Sequence, residues 1–343
     1  MTSGQSTGSR MRAYIEFVAA VFYFFLARAL AHHAAQGLIQ DDWNPLIEQA
    51  MLAFLLLVGY ASMGFWLDRE PHPISGQGFP LRDGFTIEIG MGLATGWGIA
   101  LVCVIPLVVF GGIAISLAGD LDSWGWLAAD VAFFALAALV EEVAFRGYAF
   151  QRFMRALGPF GASIGFAAYY GLVQSLLSPT SRTRFAVCLA LGLLLSTAYV
   201  RTRALWLSWG LNFGWKASRA LLFGLAVNGD TTHSHVIQGD PMGPLRLSGG
   251  GFGLDGSWLA FVVLLFAIPF VYRITRNLDF RYNAPVLKPA GIPVDLDAAA
   301  RAQHEAAMGP AEPAAPALVQ IGAAQAPQAI SSNQPPPSQD PQL

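Results

Sequence analysis

The chain has 343 residues, 54% of them hydrophobic and 12% charged, with a net charge of -2. A soluble domain carries about 25% charged residues, so half that share argues for a membrane protein, and the near-neutral balance gives no case for a nucleic-acid partner. Cys103 and Cys188 sit in separate apolar runs; they read as small buried hydrophobes, not as half of a disulfide framework or a metal cluster.

In chain order, Met1–Arg10 is short, polar and rich in Ser and Gly, without the apolar core and small-residue cleavage site of a signal peptide. A membrane span needs about 20 mostly apolar residues. Eight segments qualify as candidates: Tyr14–Leu30, Leu46–Leu67, Met91–Leu117, Trp124–Val143, Ala162–Leu177, Phe185–Val200, Ala204–Val227 and Trp258–Ile274. The fifth and sixth are short and contain Gly, a pattern shared with re-entrant or protein-buried helices. The expected fold is all-α, a polytopic membrane helical bundle of about eight transmembrane helices with a polar cavity open to the cytoplasm. Its expected parts are a polar N-terminal segment (1–12), two N-terminal membrane helices (13–78), a transmembrane core (79–278) and a tail (279–343). Beyond about Pro285 the tail is dominated by Ala, Pro, Gln and Ser. It has too few bulky residues to offset ordering entropy, so disorder is expected.

Arginine placement agrees with eight spans. Arg10, Arg12, Arg69, Arg82, Arg152, Arg155, Arg201, Arg203, Arg273, Arg276, Arg281 and Lys288 then fall on one side. The other side holds Asp41, Asp42, Asp120 and Asp122, with Arg182, Arg184 and Arg246. The bias puts both termini in the cytoplasm. No internal repeat is visible.

The residues that carry chemistry begin at Glu141-Glu142-Val143-Ala144-Phe145-Arg146, where two carboxylates and an arginine end an apolar run whose only earlier ionisable group, from Trp124 on, is Asp130. Ionisable residues in a span are costly and mark candidate functional sites. Glu142 and Arg146 are four apart, acid first, the favourable order for a helical ion pair. Glu141 lies about 100° round the helix from Glu142, which leaves it free to face the bundle interior and act as a general base on water. The alternative is a charge cluster that anchors the helix end at the headgroups. The next polar residues within spans are Gln174, Asn212 and Lys216. Asn212 and Lys216 share a helix face, with Arg219 further along it. A buried ammonium needs a partner, and Glu141 or Glu142 is the obvious one.

Two further patterns carry less. Gly251–Gly256 fits G-x-G-x-x-G but follows a polar loop and precedes a span, not the βαβ context of a dinucleotide site. A turn with Asp255 or Ser257 capping the last helix explains it better. His233 and His235 form His-x-His in the same loop with no third ligand in view, so a hydrated loop is expected.

The segment EEVAFRGY (Glu141–Tyr148) resembles the first motif, E-E-x-x-x-R, of the CPBP family of intramembrane endopeptidases, which comprises the CAAX proteases and bacteriocin-processing (Abi) enzymes. Ser163–Leu176 is similar to its second motif, F-x-x-x-H, with Tyr170 at the aromatic position and Gln174 at the histidine. Ala204–Lys216 corresponds to the third, H-x-x-x-N, with Asn212 at the histidine and Lys216 at the asparagine. GGGFGLDGS (Gly249–Ser257) resembles a loop of bacterial members. The resemblance covers roughly 79–274. It implies Glu141 as the water-activating base, with Glu142 and Arg146 as its support and Gln174, Asn212 and Lys216 at the remaining site positions. The histidines do not carry over, because none occurs between His72 and His233. Amides can donate hydrogen bonds to an oxyanion but cannot shuttle protons as histidine does, and they are poor metal ligands; no metal and no cofactor is expected.

The function so implied is a CPBP-like intramembrane endopeptidase homologue acting on membrane-associated or CAAX-type peptides, with impaired catalysis. A non-catalytic scaffold or peptide-binding pseudoprotease is the second reading, and a small-molecule or ion transporter the third. Expected partners are membrane lipids and a membrane-embedded or lipidated peptide, and the expected location is the bacterial plasma membrane.

Overall fold

The computed structural model describes residues 7–38, 42–117, 121–177, 181–228, 234, 236–278 and 303–304. The expected disordered tail and the His233/His235 pair therefore lie, apart from Gln303 and His304, outside the described residues. The chain divides after Ala284, and all elements below belong to the part before that point.

Apolar sequence becomes helix nearly throughout. The described elements are α1 (Thr7–Leu38), α2 (Asn44–Asp68), α3 (Pro73–Gly76), α4 (Phe85–Val109), β1 (Ile113–Leu117), α5 (Leu121–Arg146), α6 (Tyr148–Leu177), α7 (Arg182–Thr202), α8 (Leu205–Ala217), β2 (Ile237–Pro241), α9 (Leu245–Ser248) and α10 (Trp258–Ile274). A π-turn, Ser218–Leu222, extends α8, and a 3-10 turn, Gly250–Gly256, precedes α10.

Among the described residues, five segments are long and apolar enough to cross a membrane: Gly8–Leu38, Asn44–Asp68, Phe85–Val109, Arg182–Thr202 and Gly250–Ile274. Their outward faces carry exposed large apolar side chains, among them Phe22, Leu26, Phe54, Trp97, Val102, Ile105, Phe266 and Phe270. Glu16, Glu88, Ser196 and Thr202 of the same segments are buried, and an apolar outer face over buried polar groups suits lipid. The protein is an integral membrane protein built as a polytopic helical bundle. The three remaining long elements, α5, α6 and α8, carry the buried polar residues Glu142, Arg146, Gln174, Asn212 and Lys216. At 13 residues, α8 is only about 20 Å long.

Two expected spans end elsewhere. The run Met91–Leu117 is helical only to Val109, because Gly111 takes a left-handed φ of 71° and Ile113–Leu117 pairs antiparallel with Ile237–Pro241. That two-stranded ribbon is the exception to an all-α fold. The run Ala204–Val227 is α-helical only to Ala217; after the π-turn, Gly224 at φ 62° redirects the chain. Within α6, the Gly158-Pro159 step breaks the helical angles, since proline disfavours helix at the residue before it.

The closest packing in the bundle is between α4 and α8. Gly92 and Gly96 of α4 face Gly210 and Gly214 of α8, and a Cβ on any of the four would land on backbone of the other helix. Small residues four apart let two membrane helices approach to backbone contact. This crossing fixes the height and rotation of α8, and with them Asn212, which lies between the two glycines.

One end of the bundle is tied by arginines. Asp68 at the end of α2 accepts from Tyr148 (3.0 Å), Arg152 and Arg155 (3.2 Å) of α6. Arg82 bonds Glu88 and, at 2.9 Å, the Thr202 carbonyl. Arg201 reaches Thr275 at 3.2 Å and lies over the Tyr272 ring. At the other end Ser257, not Asp255, caps α10, accepting from the Leu259 and Ala260 N–H groups. Asp255 instead pairs with Arg219 at 2.8 Å, both buried, and accepts the Asn228 N–H at 2.9 Å.

Candidate functional site

The last turns of α5 bring Glu141, Glu142 and Arg146 against α6 and α8. On α6, Tyr170 and Gln174 are four apart and share a face; on α8, Asn212 and Lys216 do the same. The six residues singled out from the sequence come together in one buried cluster, with Tyr170 as a seventh member.

Glu141 is its hub. Its Oε1 accepts from Lys216 Nζ at 2.7 Å and from Gln174 Nε2 at 3.0 Å. Its Oε2 accepts from Asn212 Nδ2 at 2.9 Å and from the Tyr170 hydroxyl at 3.1 Å. An ionised carboxylate has about four lone-pair positions, so this one is fully subscribed. Its side chain is 13% exposed and that of Lys216 6%, so the pair is largely desolvated and the ion pair is needed to hold the charge.

Glu142 faces another way, as the 100° offset requires. Its Oε1 accepts from Arg146 NH1 and from Asn212 Nδ2, each at 3.2 Å, and both side chains of the ion pair are completely buried. Asn212 therefore bridges the two glutamates. Arg146 also donates through NH2 to the Gly192 carbonyl of α7 at 3.2 Å, and its guanidinium lies 5.1 Å from the Tyr170 ring centroid. Two carboxylates face one ammonium and one guanidinium, so the cluster is neutral when all four are ionised. Arg219, on the same helix as Lys216, belongs to the separate Asp255 pair.

Reasoning from the sequence left two contributors out of the site. Tyr170 stood only at an aromatic motif position, although its spacing of four from Gln174 was a usable signal. The Gly192 carbonyl is backbone, and no side chain advertises it.

The cluster does not fit a metal ion. Among the described residues no group of three or more His, Cys, Asp or Glu side chains is placed to hold one. The atoms that ring Glu141 are N–H and O–H donors, and the Lys216 ammonium takes the place a cation would need. What the arrangement does chemically is hold an anion still. Water activation needs a lone pair free to receive a proton, and on Glu141 each is engaged.

Residues 123–218 match the family described as Type II CAAX prenyl endopeptidase Rce1-like. That span contains all six candidate residues and Tyr170. No curated protein and no solved structure matches the chain.

Proposed function

We propose that this integral membrane protein, whose residues 123–218 form a Type II CAAX prenyl endopeptidase Rce1-like domain, is a non-hydrolytic member of its family: a membrane-embedded pseudoprotease that binds membrane-associated or lipidated peptides without cutting them. The observation that carries this reading is the fourfold engagement of Glu141, above all by the Lys216 ammonium at 2.7 Å. A glutamate held so is poised as a counter-ion, and neither Gln174 nor Asn212 can take up and return a proton in its stead.

The test uses the full chain in lipid nanodiscs with a broad library of lipidated and transmembrane peptides. No cleavage is expected under conditions where a histidine-bearing relative cleaves, and the double variant Glu141→Gln/Lys216→Met, which removes both buried charges together, is expected to leave the cellular phenotype intact. Cleavage that Glu141→Gln abolishes would overturn the proposal. It would favour hydrolysis, with Glu141 as base and the Gln174 and Asn212 amides on the carbonyl oxygen. One observation speaks for that reading: Glu141 is the least buried of the six residues.

The proposal extends to topology. All eight long helices sit within the bilayer, with residues 1–12 and 279–343 on the cytoplasmic face of a bacterial plasma membrane and the core spanning 79–278. Supporting this, the arginine-tied end joins the start of α1, the end of α2, the start of α4, the end of α7 and the end of α10, as an even number of crossings requires.

A further inference from the structure

The ribbon of β1 and β2 has two edges, and the hydrogen bonds around it fix which backbone groups face each. In an antiparallel pair, residues alternate between positions that bond across the pair and positions whose N–H and C=O point away from it. Gly239 stands opposite Ile115, and its N–H points away from β1, donating to the Gly224 carbonyl at 3.1 Å. Pro241, which has no N–H to give, stands opposite Ile113. Gly112, one residue earlier, accepts across the pair from the Met242 N–H at 3.0 Å. All three contacts make Ile113, Ile115 and Leu117 the outward positions, so their N–H and C=O groups line the free edge of β1.

The other edge, that of β2, is covered by Gly224, where a Cβ would land on Gly239 N and Ile237 O. The β1 edge is open. Ile113 is buried, but Ile115 is 39% and Leu117 79% exposed. Among the described residues, the outward backbone groups of Ile115 and Leu117 have no backbone partner. The exposed apolar side chains of Phe110 and Met242 flank the ribbon, and lipid chains cannot bond an open edge. Natural edges are commonly blunted by lysine, proline or a bulge. The β1 sequence, Ile-Ala-Ile-Ser-Leu, has no charge and no proline, and its register with β2 is unbroken.

We propose that β1 pairs antiparallel with β1 of a second copy of this chain, about a two-fold axis through Ser116, joining two ribbons into one four-stranded sheet. The two exposed outward positions lie symmetrically about Ser116, so each copy offers what the other lacks, as a two-fold contact requires. Ile115 faces Leu117 of the second copy and Leu117 faces its Ile115, each pair exchanging two hydrogen bonds. Ser116 meets its counterpart at a non-bonded position, where Cα atoms lie about 4.5 Å apart and a small side chain suits the approach. No like charges meet along the strand. Two copies in one bilayer share an axis along its normal, so the joined sheet lies flat on the membrane surface. The inference does not rest on the pseudoprotease reading, because no residue of the ribbon belongs to the Glu141 cluster.

Single cysteines test the register in the full chain, reconstituted in vesicles of phosphatidylethanolamine and phosphatidylglycerol. Cys103 and Cys188 are buried, and the parent chain is the control. Under mild oxidation Ser116→Cys is expected to give a disulfide-linked dimer, since the spacing at the axis suits a disulfide. Ala114→Cys is expected to give none, because the two-fold sets it about 14 Å from its counterpart, four residues along the strand. Leu117→Pro deletes one outward N–H per copy and spares the ribbon's own bonds. Added to Ser116→Cys, it should cut the dimer yield about tenfold and leave the thermal midpoint in place. No dimer from Ser116→Cys, or equal dimer from Ala114→Cys, would overturn the proposal. So would a yield that Leu117→Pro leaves unchanged in a folded chain. If that variant fails to fold, the contrast between positions 114 and 116 decides alone.

Discussion

Replacing Lys216 with methionine probes the central contact directly. Methionine keeps most of the chain length and removes the ammonium, leaving Glu141 charged and largely buried. Removing one partner of a buried pair costs about 3–5 kcal/mol. The lower end applies here, because Glu141 keeps the Tyr170, Gln174 and Asn212 bonds and 13% exposure. About 3 kcal/mol corresponds to a fall of about 6–10 °C in the thermal midpoint for a chain of a few hundred residues. Tryptophan fluorescence in nanodiscs reads it, since Trp215 is buried on the same helix. The partner variant is Glu141→Gln in the Lys216→Met background. With both charges gone, most of the loss should return, leaving the double variant within about 1 kcal/mol of the parent, and the cycle should show strong non-additivity. If Lys216→Met changes stability by less than about 0.5 kcal/mol, the value of an ordinary surface substitution, the ion pair does not hold the cluster together. The account of Glu141 as a clamped anion then fails with it.

Other contacts make similarly specific demands. Gly96→Leu drives a side chain into the backbone of α8 and should cost about 3 kcal/mol or abolish folding, the upper range for overpacking; Gly98→Leu meets open space and should stay within about 1 kcal/mol, both read by thermal unfolding in one lipid. Arg219→Met strands the buried Asp255 carboxylate and should cost about 3–5 kcal/mol, with partial recovery in Arg219→Met/Asp255→Asn. Ser257→Ala removes the cap of α10 and should cost about 1 kcal/mol, seen as faster amide exchange at Leu259 and Ala260. Arg146→Lys keeps the charge but loses the forked reach to both Glu142 and the Gly192 carbonyl, so it should destabilise measurably although the charge is conserved.

What could be read in the sequence follows physical range. Glu142 and Arg146 pair within one helix, and their spacing alone fixes that contact. Gln174, Asn212 and Lys216 stand out as polar groups in apolar runs, and the cost of burying them in lipid makes mutual contact the natural expectation. Contacts made by backbone or by distant loops left no such trace. The Gly192 carbonyl carries no side-chain signal. The end of α4 at Val109 depends on Gly111 and on a strand partner more than a hundred residues away; an Ile-Ala-Ile run suits either helix or strand. Asp255 looked like a helix cap because its preferred partner, Arg219, lies 36 residues back. The count of eight spans rested on apolar runs, and such a run does not show that α8 stops after 13 residues or that α6 is broken at Gly158-Pro159.

Under the proposed function, the three positions at which this chain differs from the motifs it resembles act together. Exchanging histidine for Gln174 and Asn212 keeps two hydrogen-bond donors aimed at Glu141 but removes the groups that accept and return protons. Those losses alone would leave a buried carboxylate with three neutral donors and no compensating charge. Lysine at position 216 supplies that charge at 2.7 Å, while Arg146 does the same for Glu142. A single reversion therefore cannot recover a water-activating site: a histidine at 174 or 212 still faces a glutamate neutralised by lysine, and removing lysine alone strands the glutamate. Only Gln174→His, Asn212→His and Lys216→Asn combined free the Glu141 oxygens and restore proton transfer at once. Under the proposed function, peptide cleavage should emerge in the triple variant and in none of the single ones. Cleavage by the parent chain at the rate of the triple variant would mean that the lysine is no obstacle and that the amides suffice.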